Sequence, residues 1–81
     1  MHSLIVFSLE QRTDNALQVQ KILTESGCII KTRLGLHEVA DNHCADSGLV
    51  VLELVGEPDE KQALLKQLSE VDGVTAKLVE V

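Results

Sequence analysis

The two halves of this chain resemble each other at a fixed offset. Each half contains a short apolar segment, then a segment with helical periodicity, then a second extended segment. The chain is therefore predicted to be a duplicated β-α-β unit. A shift of 45 positions superposes residues of the same type: Leu4 on Leu49, Val6 on Val51, Leu9 on Leu54, Asp14 on Asp59 and Lys21 on Lys66.

Four segments are predicted to be strands. Ser3 to Leu9 and Leu49 to Val55 are almost continuously apolar, which is typical of strands in the middle of a sheet. Cys28 to Leu36 and Val74 to Val81 alternate apolar and polar residues, which indicates edge strands. In the second segment the alternation predicts one side toward the helices, comprising Cys28, Ile30, Thr32, Leu34 and Leu36, with Cys28 a buried apolar thiol.

Two amphipathic helices lie between these strands. Thr13 or Asp14 is expected to cap the first helix, and Pro58 suits the first position of the second. Gly27 and Gly73 follow the helices at positions where left-handed residues end them. The apolar stripes consist of Ala16, Val19, Ile22 and Leu23 in the first helix, and Leu64, Leu65, Leu68 and Val71 in the second.

This order of elements predicts an α+β protein. The arrangement is a ferredoxin-like βαββαβ sandwich, in which a four-stranded antiparallel sheet carries both helices on one face. Residues 1–81 are expected to form a single domain, because 81 residues supply one modest core.

Composition and charge exclude several function classes. A net charge of −6 and seven scattered basic residues argue against binding to duplex nucleic acid. The single aromatic residue, Phe7, argues against stacking on RNA bases. There is no basic leader and no run of 18 apolar residues, so a cytoplasmic protein with reduced thiols and no membrane association is expected. No catalytic triad or phosphate-binding glycine pattern occurs, and the chain is not expected to be an enzyme.

One face of the predicted sheet has no helix to cover it. An uncovered apolar sheet face usually marks a partner surface. We therefore expect a homo-oligomer, a dimer or tetramer, formed through this face or through an edge strand, whereas a solvated mixed face is the alternative. Besides one alternating set from the third strand, the face is expected to comprise Ile29, Lys31, Arg33, Thr75, Lys77, Val79 and Val81.

The segment from His37 to Ser47 is a candidate metal site. It is predicted to be an eleven-residue loop between the second and third strands, and loops of this length are often functional. Thiolate and imidazole groups are strong ligands for zinc, nickel or iron. A solvated hairpin is the alternative, since no metal motif has this spacing. The candidate ligands are His37, Asp41, His43 and Cys44.

The turn before the first helix is a candidate ligand site. Backbone N–H groups at a helix start can bind an anion, and Arg12 adds a positive charge. Helix capping by Thr13 and Asp14 is the alternative. The turn runs from Glu10 to Asn15.

Short motifs along most of the chain resemble those of a known family, the iron-only hydrogenase system regulators. The matching residues are Arg33-Leu34-Gly35, Asp59-Glu60, Ala63-Leu64, Leu68, Gly73-Val74 and Lys77. That family is similar to ACT domains and to the ligand-binding domain of the nickel-responsive repressor. The resemblance implies an ACT-like, oligomeric transcriptional regulator linked to hydrogenase maturation, with a small effector bound between subunits.

From the resemblance and the residues together, we expect a small regulatory or ligand-sensing domain without its own DNA-binding region. The expected effector site comprises Arg12, Thr13, Asp14, Asn15, Arg33 and Gly35. Two classes of ligand are considered, a small amino-acid-like effector and a divalent metal. Two alternatives are a metal-binding protein that uses the segment from His37 to Cys44, and a protein-interaction module with no small ligand.

Overall fold

A computed structural model describes residues 1–10, 13–40 and 43–81 of the chain. For residues 13–14, 36–40 and 43–47, only the backbone is described. Within these ranges the chain forms four strands, two α-helices and one short 3-10 helix. In chain order they are β1 (Ser3–Glu10), α1 (Thr13–Glu25), the 3-10 helix (Gly27–Ile29), β2 (Ile30–Ala40), β3 (His43–Leu54), α2 (Pro58–Ser69) and β4 (Val74–Glu80).

The described strands form one antiparallel sheet in the order β2-β3-β1-β4. The two nearly continuous apolar segments are therefore the central strands, as predicted, because only central strands are covered by neighbours on both sides. Both helices pack on one face, and the predicted α+β fold with βαββαβ order is confirmed.

The central pair of strands preserves the internal repeat. In the β1–β3 ladder, Val6 stands opposite Val51, and these two residues are separated by the offset of the repeat. Leu4 and Leu49 lie two residues from this pair, in opposite directions. The sheet consequently has an approximate two-fold axis that passes between Val6 and Val51, normal to the sheet.

The core lies between the sheet and the helices. Both predicted helical stripes contribute to it: Val19 and Leu23 are buried in α1, and Leu64 and Leu68 in α2. Burying a side chain of this size contributes about 1.5–3 kcal/mol. The buried apolar residues are Ile5, Phe7, Val19, Leu23, Leu52, Leu54, Leu64, Leu68 and Val71.

The ends of α2 follow the sequence prediction. Pro58 occupies the first helical position, and the Glu57 N–H donates a hydrogen bond of 3.0 Å to Oε1 of Glu60. Gly73, with φ of 82°, ends the turn after the helix. The prediction for Gly27 is wrong: α1 ends at Glu25, and Gly27 begins the 3-10 helix without a positive φ.

A bulge changes the predicted faces of β2. The pairing register of β2 and β3 shifts at Lys31, and one extra residue exchanges the two faces of the strand beyond it. Arg33 was expected on the uncovered face, but it stands opposite the buried Leu52 and bonds to Gln20 of α1. It therefore lies on the helix side.

Three neighbouring residues also differ from the prediction, Leu34 because of the bulge, and Cys28 and Ile29 because they lie in the 3-10 helix before β2. Leu34 was expected under the helices, yet it stands opposite Val51 on the uncovered face. Ile29 was expected on that face, but it packs against the core. Cys28 does not begin a strand and is not buried: it is exposed within the 3-10 helix.

The predicted eleven-residue loop between β2 and β3 is wrong. β2 continues to Ala40 and β3 begins at His43, with Ala40 opposite His43 and Val39 opposite Cys44. Glu10, the last residue of β1, stands opposite Ser47. Among the described residues, the hairpin therefore extends beyond the end of β1 as a two-stranded arm.

Candidate functional site

The face of the sheet opposite the helices, called the open face here, is the most extensive candidate site in the described part of the chain. Alternation along the paired strands places side chains from all four strands on it. Those described are Leu4, Val6 and Ser8 of β1; Thr32 and Leu34 of β2; Leu49, Val51 and Glu53 of β3; and Thr75, Lys77 and Val79 of β4.

The centre of the open face is apolar and accessible. Leu34 is 54% exposed and Val79 is 39% exposed, while Leu4, Val6 and Val51 are partly exposed between them. A shallow depression of about 370 Å³ lies over β1 and β4, lined by Val6, Ser8, Leu49, Thr75, Lys77 and Val79. A contiguous apolar patch of this kind is typical of an interaction surface.

Two opposite charges flank this centre. Glu53 Oε2 accepts a hydrogen bond of 2.7 Å from Nδ1 of His2. This bond, together with the charge of Lys31 and a bond from Thr32, lowers the pKa of Glu53, against a smaller rise from desolvation. Lys77 lies on the other side of the centre, opposite Val6.

A second candidate site is the helix-facing edge of β2, called the β2 edge site here and defined by Gln20, Arg33 and Gly35. Arg33 Nη1 donates a hydrogen bond of 3.2 Å to Oε1 of Gln20, so α1 orients the guanidinium. Gly35 stands opposite Val50, two residues along the strand from Arg33. A Cβ at Gly35 would meet no atom within 4 Å, so there is open space at this position of the strand.

The structure separates Asn15 from this edge. Its Nδ2 lies 3.0 Å from the place where a Cβ of Gly73 would stand, so Asn15 packs against the turn before β4. Of the predicted effector residues, Arg33 and Gly35 share one edge, and Asn15 lies elsewhere. Arg12 lies outside the described residues, and Thr13 and Asp14 are described only as the first residues of α1.

The predicted metal ligands are described only in part. The backbone places His37 opposite Gly48 in the hairpin, but Asp41 and the side chains of His37, His43 and Cys44 lie outside the described residues. Among the residues that are described, no group of three or more His, Cys, Asp or Glu side chains could hold a metal ion. The metal site in the hairpin therefore stays a prediction.

Sequence reasoning missed a groove of about 260 Å³ between the end of α1 and α2. It contains the exposed Cys28, whose position depends on the 3-10 helix, and no sequence signal for that helix was recognised. The groove is lined by Glu25, Ser26, Cys28, Ile29, Glu60, Ala63, Leu64 and Gln67. In the described ranges, no helix has the length and apolar character to cross a membrane.

Solved structures resemble this chain, although no protein-family model and no curated protein sequence matches it. The uncharacterized protein TM1266 from Thermotoga maritima superposes with a TM-score of 0.85 at 24% identity, over 96% of this chain and 92% of that one. The ACT domain of GTP pyrophosphokinase from Chlorobium tepidum superposes with a TM-score of 0.69 at 18% identity, over 98% and 97% of the two chains. The C-terminal domain of MgtC from Mycobacterium tuberculosis gives 0.65 at 13% identity, over 98% and 86%. The chain therefore has an ACT-like fold over nearly its full length.

Proposed function

We propose that this chain is a non-catalytic, ACT-like regulatory domain that binds a small amino-acid-like effector and works as a homo-oligomer. The observation that carries the proposal is the superposition on an ACT domain over nearly the full length of both chains. In this proposal a partner protein supplies any contact with DNA.

The β2 edge site supplies the chemistry for the effector. The Arg33 guanidinium has a planar set of donors that matches a carboxylate, and its bond to Gln20 orients it before the ligand arrives. The open space at Gly35 gives the rest of a small ligand access to the strand. An amino acid bound there would be held chiefly by its carboxylate.

The effector would regulate by favouring one arrangement of subunits over another. Such a shift requires that the effector bind the two arrangements with different affinities. We propose an iron-only hydrogenase system as the regulated system. Support comes from the family resemblance, whose residues Arg33 and Gly35 belong to the β2 edge site.

A thermal-shift screen of metal-stripped protein against the common amino acids tests the effector proposal. A ligand that binds only the folded state must raise the melting temperature. Arg33→Ala should weaken binding of the responding amino acid by roughly 10- to 100-fold, since hydrogen bonds to charged groups contribute about 1.5–3 kcal/mol. Gly35→Val should abolish binding, because the valine side chain fills the open space. Valine is a favourable strand residue, so β2 should still form.

Lys21→Ala on the exposed side of α1 is the matched control and should leave the shift unchanged. An amino-acid response that survives both Arg33→Ala and Gly35→Val would contradict the β2 edge site.

The same screen with divalent metals tests the hairpin hypothesis. A shift with nickel, zinc or iron that disappears in His43→Ala would support the metal-binding alternative. If neither amino acids nor metals shift the melting temperature, the interaction module without a small ligand becomes the better proposal.

A further inference from the structure

The open face leaves apolar side chains in water on a chain small enough that burial is valuable. We infer that a second copy of this chain covers it, with the two sheets packed face to face about a two-fold axis parallel to the sheets. This inference rests on the homo-oligomeric part of the proposed function and specifies its interface.

The charge of the open face favours a second copy over other partners. The whole chain carries a net charge of −6, which would oppose association of two copies through an average surface. The described open face carries one acidic residue, Glu53, and one basic residue, Lys77, and His2 and Lys31 lie beside Glu53, so this patch lacks the net negative charge of the whole chain. The patch therefore lacks the concentrated charge of one sign that would attract a nucleic acid or a strongly charged protein.

The positions of the two charges make the face self-complementary. Lys77 stands opposite Val6 on β4, whereas Glu53 lies on β3 beside Leu4. Neighbouring strands are about 4.8 Å apart and residues rise by about 3.4 Å, so the two residues stand about 10 Å apart across the sheet and about 7 Å apart along the strands, on either side of the apolar centre. In a two-fold pair, Glu53 of each copy can meet Lys77 of the other, which gives two equivalent contacts.

The size of the face predicts a dissociable dimer. Four strands spaced by about 4.8 Å, with five to seven residues of each strand in the patch, cover roughly 400 Å² in projection. Stable interfaces bury roughly 800 Å² per partner. The side-chain relief and the adjoining exposed residues Val55 and Val81 add to the projected area, but the contact stays at the small end of the range.

Sedimentation of the full chain over a range of concentrations tests the interface. Leu34→Lys puts a charge at the exposed margin of the apolar centre, where it does not disturb the core, and should weaken dimerisation at least tenfold. Leu17→Lys is the matched control, because Leu17 is 65% exposed on α1, away from the open face. It should leave the dissociation constant unchanged.

Charge exchange tests the orientation. Glu53→Lys and Lys77→Glu should each dissociate the dimer, because each leaves two like charges in contact across the axis. An equimolar mixture of the two variants should dimerise, since each contact then joins a lysine to a glutamate. No effect on the folding of a single chain produces recovery on mixing.

Three outcomes separate this inference from the broader proposal. A wild-type dimer that Leu34→Lys leaves intact overturns the open face as the interface, while homo-oligomerisation stands. A dimer that Leu34→Lys dissociates without recovery in the charge-exchange mixture overturns the Glu53–Lys77 pairing. A wild-type chain that is monomeric at every concentration overturns both the inference and the homo-oligomeric part of the proposed function, while effector binding is still measured independently by the thermal shift.

Discussion

Glu53 shows how one residue connects the stability of the monomer to the properties of its surface. Its carboxylate accepts a hydrogen bond from His2 and lies near Lys31, and these contacts favour the charged form. The same carboxylate is the acidic group of the open face. Acidification that protonates Glu53 therefore removes both an intramolecular contact and the charge proposed to meet Lys77 of a second copy.

The lowered pKa of Glu53 gives a prediction about pH. A carboxyl whose pKa is lower in the folded state stabilises the fold above its unfolded pKa of about 4.3, and this contribution is lost as the pH falls through the folded value. Glu53→Gln should therefore lose less stability on acidification below about pH 5 than the wild type does.

Thermal melting at protein concentrations low enough to keep the chain monomeric measures this difference. Glu70→Gln at the exposed end of α2 is the control, and its melting temperature should fall on acidification by as much as that of the wild type. Equal pH dependence in Glu53→Gln and wild type would contradict the role assigned to the His2 bond.

At the scale of elements, the turn from α2 to β4 connects the two halves of the structure. Gly73 adopts a φ of 82°, and its carbonyl accepts a hydrogen bond of 2.9 Å from the N–H of Glu10 at the end of β1. The Asn15 amide packs against it from α1. This turn therefore depends on a left-handed glycine that has neighbours on two other elements.

Gly73→Ala should destabilise the protein by about 1–3 kcal/mol, because alanine is strained at this φ and its Cβ would lie 3.0 Å from Asn15 Nδ2. Gly27→Ala is the matched control: a Cβ there would meet no atom within 4 Å, and φ is not positive. It should be neutral or stabilising by up to about 1 kcal/mol. Urea unfolding of both variants measures the contrast, and equal effects would contradict the backbone argument.

The elements also show which parts of the structure the sequence could predict. The stripes containing Val19 and Leu68 predicted the helices and their buried faces, because burial of a helix requires periodic apolar residues. The faces of β2 could not be predicted in the same way. The bulge at Lys31 inserts one residue. Arg33 and Leu34 therefore each lie on the face opposite to the predicted one, although the alternation of apolar and polar residues is unchanged.

The candidate sites were less predictable than the fold for a related reason. Resemblance pointed to Arg33 and Gly35, but their position on the helix-facing edge follows from the bulge. Asn15 was assigned to the effector site because it lies close to Arg12 in sequence. In the structure, however, the Asn15 amide packs against Gly73. Sequence proximity identifies a turn, and only the packing of α1 decides which side chains of that turn share a site.

At the scale of the whole molecule, association and folding should be linked. If only folded chains dimerise, the melting temperature rises with protein concentration. We expect the wild-type melting temperature to increase over a roughly hundredfold range of concentration, and that of Leu34→Lys to stay constant. Differential scanning calorimetry measures both. A constant wild-type value would contradict coupling between the fold and the open face.

The pairing of Val6 with Val51 has a further geometric consequence. The axis at this pair relates Leu34, opposite Val51, to Lys77, opposite Val6, and it relates Ser8 to Glu53. The two charged residues of the open face are thus places where the repeated halves differ. A face built from identical halves would accept a second copy equally well in two orientations that differ by a half-turn. By breaking this equivalence, Glu53 and Lys77 let a duplicated domain choose one orientation, so divergence between the halves supplies the docking specificity that symmetry alone lacks.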